Sequence, residues 1–386
     1  MLRFRKFIKE QASEEKKLKP EIAGRMAEIH TGRYLAPRSA NRKSPGAEKL
    51  RQGARDVVGY LHDQAGPYHT EVIKQHSREI AKAIKSHFGD NEGSSIHSVH
   101  WTSNPKDPDK LAHKLGIPPP QKTKADIIAV TEKKDRKGMV TTKGPGGKKS
   151  LALISMKYTG GKKKGGSQTK INYSNPGLAS MENHAGVPAG TYQHMSQQHD
   201  NYVTHSLGYT GAKSKLSKDS KRSKWEADRT SKDPVRIAKA KAADDSAAET
   251  MNKIATAHRN AMSKKSSDEL ADHVRKVVAP DTGYPEHIVH ATVSRTKTQT
   301  KSVGGKKLTI PSLEGVHIYN AGAHVEKHLD KFEKGSLHVD KSTTGARIVI
   351  KGKLKGSGKI QNVLQHNLKR GGTGPFSGFN ATTNLG

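Results

Sequence analysis

The chain has 386 residues, of which 32% are apolar and 5% aromatic, too few for compact packing along its whole length. Lys and Arg outnumber Asp and Glu by 69 to 36, a net charge of +33 that points to a polyanionic partner, above all nucleic acid. There is no cysteine, which excludes a disulfide framework, thiolate metal sites and a cysteine nucleophile. No apolar run approaches the roughly 20 residues of a membrane helix, and the first residues lack the apolar stretch of an export signal, so no membrane partner is expected.

In chain order, Phe4, Phe7 and Ile8 give the first residues one apolar helical face. A polar stretch runs to Lys19, and Pro20 suits the first turn of a helix over about 21–34. On that helix Ile22, Met26, Ile29 and His30 share a side, with Glu28 near the buried flank. After a Pro- and Ser-rich loop over 36–47, the apolar spacing predicts helices over 47–62 (Val57, Val58, Leu61) and 68–88 (Val72, Ile73, Ile80, Ile84). A strand over 95–101 is followed by a polar loop that ends in three prolines at 118–120. Two apolar runs come next. Asp126-Ile127-Ile128-Ala129-Val130 and Leu151-Ala152-Leu153-Ile154-Ser155-Met156-Lys157 each read as a buried strand with a charged residue at one end. A charged, glycine-rich hairpin connection over 131–149 separates them, and a glycine-lysine loop over 160–166 follows.

Further on, residues 210–248 are dominated by Lys, Ser, Ala and Asp, with a helix predicted over 234–262 on mostly charged faces. A capped helix is expected over 267–278, with Ser267 at its start. Strands are expected over 287–293, 316–319, 336–339 and 346–351. These elements imply an N-terminal leader (1–19), a core (20–210), a basic helical arm or linker (211–280), a β-rich C-terminal region (281–370) and a flexible tail (371–386). The class is α+β, a mixed sheet flanked by helices.

Alternation puts Ser155 and Lys157 on one side of their strand. If the two strands pair as a hairpin, Asp126, Ser155 and Lys157 converge. A carboxylate there can bind a hard divalent cation, and a lysine can orient a water or neutralise charge on a phosphate.

Asp126 followed by Ser155-Met156-Lys157 resembles the PD-(D/E)XK nuclease core, in which an acid on one strand precedes an acid-x-lysine on the next. The resemblance implies a restriction-endonuclease-like fold, a Mg²⁺- or Mn²⁺-dependent endonuclease and DNA as substrate. It implies Glu28, on the preceding helix, as the second metal-binding carboxylate beside Asp126. Lys157 would then position the attacking hydroxide, and Ser155 would hydrogen-bond the water or phosphate. Arg25, Arg33, Lys162, Lys163, Lys164 and Asn175 would hold the nucleic acid. The chain departs from the pattern in two places: Ala125 stands where a proline is usual, and Ser155 where the middle acid is usual.

His100-Trp101-Thr102-Ser103-Asn104 and Asn175-Pro176-Gly177-Leu178 are similar to segments of nuclease-like proteins of large tailed phages. Phe4 to Glu10, ending in Ile8-Lys9-Glu10, resembles the leaders that target proteins into phage heads. These resemblances imply a protein of the virion or host cytoplasm, in contact with other virion proteins and open to homo-oligomerisation. The alternatives are a non-catalytic basic virion protein that retains a nuclease-like core, and a nucleic-acid-binding module of other ancestry. His194, His199 and His205 lie close in sequence, and His97 and His100 flank a strand, but their spacing does not predict a metal site. Gly144 to Lys149 lacks the order of a phosphate-binding loop, which argues against an NTPase.

Overall fold

The computed structural model describes residues 18–35, 45–102, 107–120, 125–133, 150–160, 173, 177–208, 218–303, 306–370, 375 and 378–386. The chain divides into two compact units: Met1–Thr169 with Asp281–Ala321, and Lys170–Pro280 with Gly322–Gly386. The fold is α+β, as the sequence predicts.

The first unit is built on a five-stranded sheet in the order β1-β2-β3-β4-β5. Its strands are β1 (Ser94–Trp101), β2 (Ile127–Lys133), β3 (Ser150–Gly160), β4 (Glu286–Val303) and β5 (Lys306–Asn320). β1, β2 and β3 form an antiparallel meander, β4 runs parallel to β3, and β5 returns antiparallel. A parallel neighbour requires a long crossover, and here residues 170–280 of the second unit fall within it. The strands expected over 287–293 and 316–319 therefore complete this sheet instead of starting a C-terminal region.

Both runs singled out in the sequence are buried on two faces, which is why they read as continuous apolar stretches. Ile127, Ala129, Ala152, Ile154 and Met156 join one core with α1 (Pro20–Leu35) and α2 (Pro45–Ser86). Ile128, Val130, Leu151 and Leu153 face a second core with Ala112 of α3 (Asp107–Leu115) and Ile117. Within α1, Met26, Ile29 and His30 are buried, as their spacing predicts. α2 contains the two predicted helices. They are broken at Gly66, whose φ of 73° only glycine adopts readily, and Pro67 removes an N–H at the joint.

The second unit packs helices against a four-stranded antiparallel sheet, β6-β7-β8-β9. The strands are β6 (His338–Val339), β7 (Arg347–Lys353), β8 (Ile360–Arg370) and β9 (Phe379–Leu385). The helices are α4 (Leu178–Ala185), α5 (Thr191–Ser206), α6 (Lys218–Arg229), α7 (Pro234–Met262), α8 (Ser267–Val278) and α9 (Ala321–Leu329). α7 is no solvated arm: Ala240, Ala243, Ala247, Ile254 and Ala255 form a buried stripe of small residues along it. α8 spans the residues expected, 267–278, and its cap is the residue before, with Ser266 and Glu269 forming a reciprocal capping box. β9 lies within the stretch expected to be a flexible tail. The leader expected over 1–19 lies almost wholly outside the described residues, and its apolar patch entirely so. Among the described residues, no helix is long and apolar enough to cross a membrane.

Candidate active site

The site lies in the first unit, where β1 ends and β2 begins. Thr102 N–H donates to the Asp126 carbonyl at 3.0 Å, and Asp126 N–H donates to the Ile154 carbonyl at 2.9 Å. This fixes the Asp126 backbone between the end of β1 and the middle of β3. Its side chain is held as firmly: Oδ2 accepts from Met156 N–H at 2.7 Å and from Ser155 Oγ at 3.4 Å. Ile127 pairs with Ile154, so Asp126 falls opposite Ser155 in the ladder. Ser155 is buried, and its hydroxyl serves Asp126.

From α1 come Gly24, Arg25 and Glu28, which share one helical face by their i, i+4 spacing. With Val57, Trp101, Thr102 and Asp126 they line a cleft of about 520 Å³. Burial, and then the charge of Asp126, push the Glu28 carboxyl up to about 8; Trp101, Lys157 and Arg25 act the other way. The Trp101 Nε1–H is buried with no hydrogen bond of normal geometry, and it acts on Glu28 as a nearby donor dipole. Asp126 is also raised by burial, opposed by Lys157, Met156 N–H and Ser155. Burial thus makes it costly for both carboxyls to ionise at once.

Of the predicted residues, Glu28, Asp126, Ser155, Lys157 and Arg25 come together here. Lys157, on β3, is close enough for its charge to act on both carboxyls. Arg33, eight residues beyond Arg25 on α1, is exposed and is not among the residues lining the cleft. Lys162, Lys163, Lys164 and Asn175 lie outside the described residues. The cleft wall formed by Val57, Trp101 and Thr102 was not assigned from sequence. Trp101 is one of only two tryptophans in the chain and stands at a strand end, a signal that could have found it.

Of the histidines noted in sequence, His205 is exposed and the other four have local partners. His199 is buried, with Ser246 at 3.0 Å and the Pro375 carbonyl at 2.9 Å. His194 pairs with Gln198 at 3.0 Å, His100 with Ser98 at 3.2 Å, and His97 with Glu132 at 3.5 Å.

No protein-family model matches the chain, and no curated protein is significantly similar to it. Among solved structures, the chain is similar to one described as a crystal structure of restriction endonuclease MspI in complex with its cognate DNA. The TM-score is 0.24 and the identity 9%, over 84% of this chain and 97% of that one. A likeness of that size carries no functional weight, and the cleft's own geometry must supply the reading.

Proposed function

We propose that the protein is a divalent-metal-dependent nuclease that hydrolyses phosphodiester bonds of DNA. The observation that carries this reading is that Glu28 and Asp126 line one cleft, with Lys157 close enough for its charge to act on both carboxyls.

The donor set fits a hard cation. Two carboxyl groups from separate elements share a partly buried cleft where ionising both is costly, and a bound cation would offset that cost. Glu28 and Asp126 would hold Mg²⁺ or Mn²⁺. When bound, such an ion lowers the pKa of a water and stabilises charge on the phosphate. The chain's own groups do the rest. Met156 N–H and Ser155 fix the Asp126 carboxylate, so that it needs no reorganisation. Lys157 positions the attacking water or hydroxide and neutralises charge developing on the phosphate. Arg25 holds the backbone beside the cleft, with Lys162–Lys164 and Asn175 as further contacts. Ser155 supports Asp126 through its hydroxyl. The net charge of +33 draws DNA in by counterion release.

The test is digestion of plasmid and single-stranded DNA with Mg²⁺ or Mn²⁺, comparing wild type with Glu28→Gln, Asp126→Ala and Lys157→Ala. Each variant should cut at least roughly 100-fold more slowly, a typical loss for one catalytic group. An inactive, clean wild type would favour the second reading, a non-catalytic basic protein that binds DNA; the serine at position 155 is the observation behind it. Virion carriage is proposed on the leader resemblance alone, and mass spectrometry of purified particles would test it.

A further inference from the structure

The second unit holds a cluster that the nuclease reading does not use. His258 on α7, His273 on α8 and His366 on β8 place ring nitrogens within 4.8 Å of one another, and all three side chains are buried. We propose that these histidines bind a single transition-metal ion, Zn²⁺ foremost, which ties the α7–α8 hairpin to the C-terminal sheet.

The geometry is that of ligands turned toward a common point. His366 Nδ1 lies 2.8 Å from Thr383 Oγ1, and His258 Nδ1 lies 3.3 Å from the Tyr192 hydroxyl. Partners of this kind on the far nitrogen fix ring orientation in metal-bound histidines. They leave Nε2 of His258 and of His366 for an ion, while His273, whose Nδ1 is buried without a hydrogen-bond partner, takes part through Nε2. His273 Nε2 and His366 Nε2 are 3.0 Å apart, close to the spacing of two nitrogens that share an ion at about 2.0–2.1 Å. His258 Nε2 is buried without a hydrogen-bond partner, a costly state for an imidazole nitrogen that coordination would relieve. A hydrogen bond between His273 and His366 alone leaves that nitrogen unexplained. His184 on α4 packs its ring edge-on to His273, with centroids 5.6 Å apart, and is the candidate fourth ligand, with water as the other choice.

The donor chemistry selects the ion. Three imidazoles suit Zn²⁺ and its softer neighbours, whereas the carboxylates of the cleft suit Mg²⁺ or Mn²⁺. Burial of all three ligands marks a closed, structural site rather than one open to substrate. The other metal-sized group among the described residues, His87, Glu92 and His287, differs. There Glu92 Oε1 lies 2.7 Å from His287 Nε2 and 3.3 Å from His87 Nε2, so the carboxylate already occupies the centre.

The experiment uses the full chain without a histidine tag, stripped with a chelator and dialysed. Zn²⁺ alone should be retained through dialysis at about one equivalent per chain and should raise the melting temperature, and Co²⁺ alone should give the visible absorption of a tetrahedral site. His273→Gln and His366→Gln should lose both signals, while Glu28→Gln and Asp126→Asn keep them. Thr383→Val should bind roughly 10-fold more weakly. Wild type that retains no Zn²⁺, or a His273→Gln variant that retains it equally, overturns the site. If the histidine variants do not fold, Thr383→Val decides, and unchanged affinity there counts against the proposal. Nuclease activity enters none of these readouts, so the two proposals fail separately.

Discussion

Glu28 concentrates the chemistry of the cleft in one side chain. Its carboxyl is raised from 4.5 to about 8 by burial and by Asp126, so the folded state binds this proton more tightly than the unfolded chain does. The resulting stabilisation is complete below pH of about 4.5 and is lost as pH rises through about 8. Metal-free protein should therefore lose melting temperature across that window, and Glu28→Gln should flatten the loss. A wild-type slope no steeper than that of Glu28→Gln would mean that the carboxyl is not held protonated. Saturating Mg²⁺ should counter the slope, because the ion favours the ionised pair. Ser155 stands where the familiar pattern has an acid, yet its hydroxyl and the neighbouring Met156 N–H both meet Asp126 Oδ2. The strand therefore still serves the carboxylate, as an anchor instead of a ligand.

The legibility of the elements followed the range of the forces that form them. α1, the two halves of α2 and β1 to β3 were readable because their periodicity is local and their apolar faces are dense; α7 was readable as a helix, but its buried stripe of small residues was not. The assignment of β4 and β5 was not, because the pairing of Ser155 with Ile288 joins residues far apart in sequence. No local pattern records such a partner. α4, α5 and β8 carry polar residues at many positions, and β9 reads as a Gly- and Asn-rich tail until β8 lends it a ladder. At the site, Asp126 and Lys157 were visible from strand alternation. The contribution of Trp101 depends on which strand end faces α1, a tertiary fact. One element-scale prediction concerns β7, where a Cβ on Gly352 would stand 2.9 Å from Phe332 Cδ1 and 3.1 Å from Val363 Cγ2. Gly352→Ala should overpack that core and destabilise the protein by about 1–3 kcal/mol, measured by denaturant unfolding. An unchanged midpoint would show that Phe332 moves aside freely.

At the scale of the molecule, charge dominates. With 69 basic residues against 36 acidic ones, binding to DNA of any sequence should weaken steeply with salt. If it engages 6–10 phosphates, affinity should fall by roughly 10³–10⁵ between about 50 and 200 mM salt. Fluorescence anisotropy with a labelled duplex would measure this, and a flat response would contradict electrostatic capture. The arrangement of the sheet also bears on the order in which the chain is made. During synthesis β3 emerges early, but its parallel neighbour β4 follows only after residues 170–280 have been translated. In that interval the meander of β1 to β3 has an unpaired edge on an apolar strand, a surface prone to pair with another nascent chain. Completion of the first sheet is timed by the ribosome's passage through the second unit. Slow translation or delayed folding of residues 170–280 should thus appear as aggregation through the sheet of the first unit.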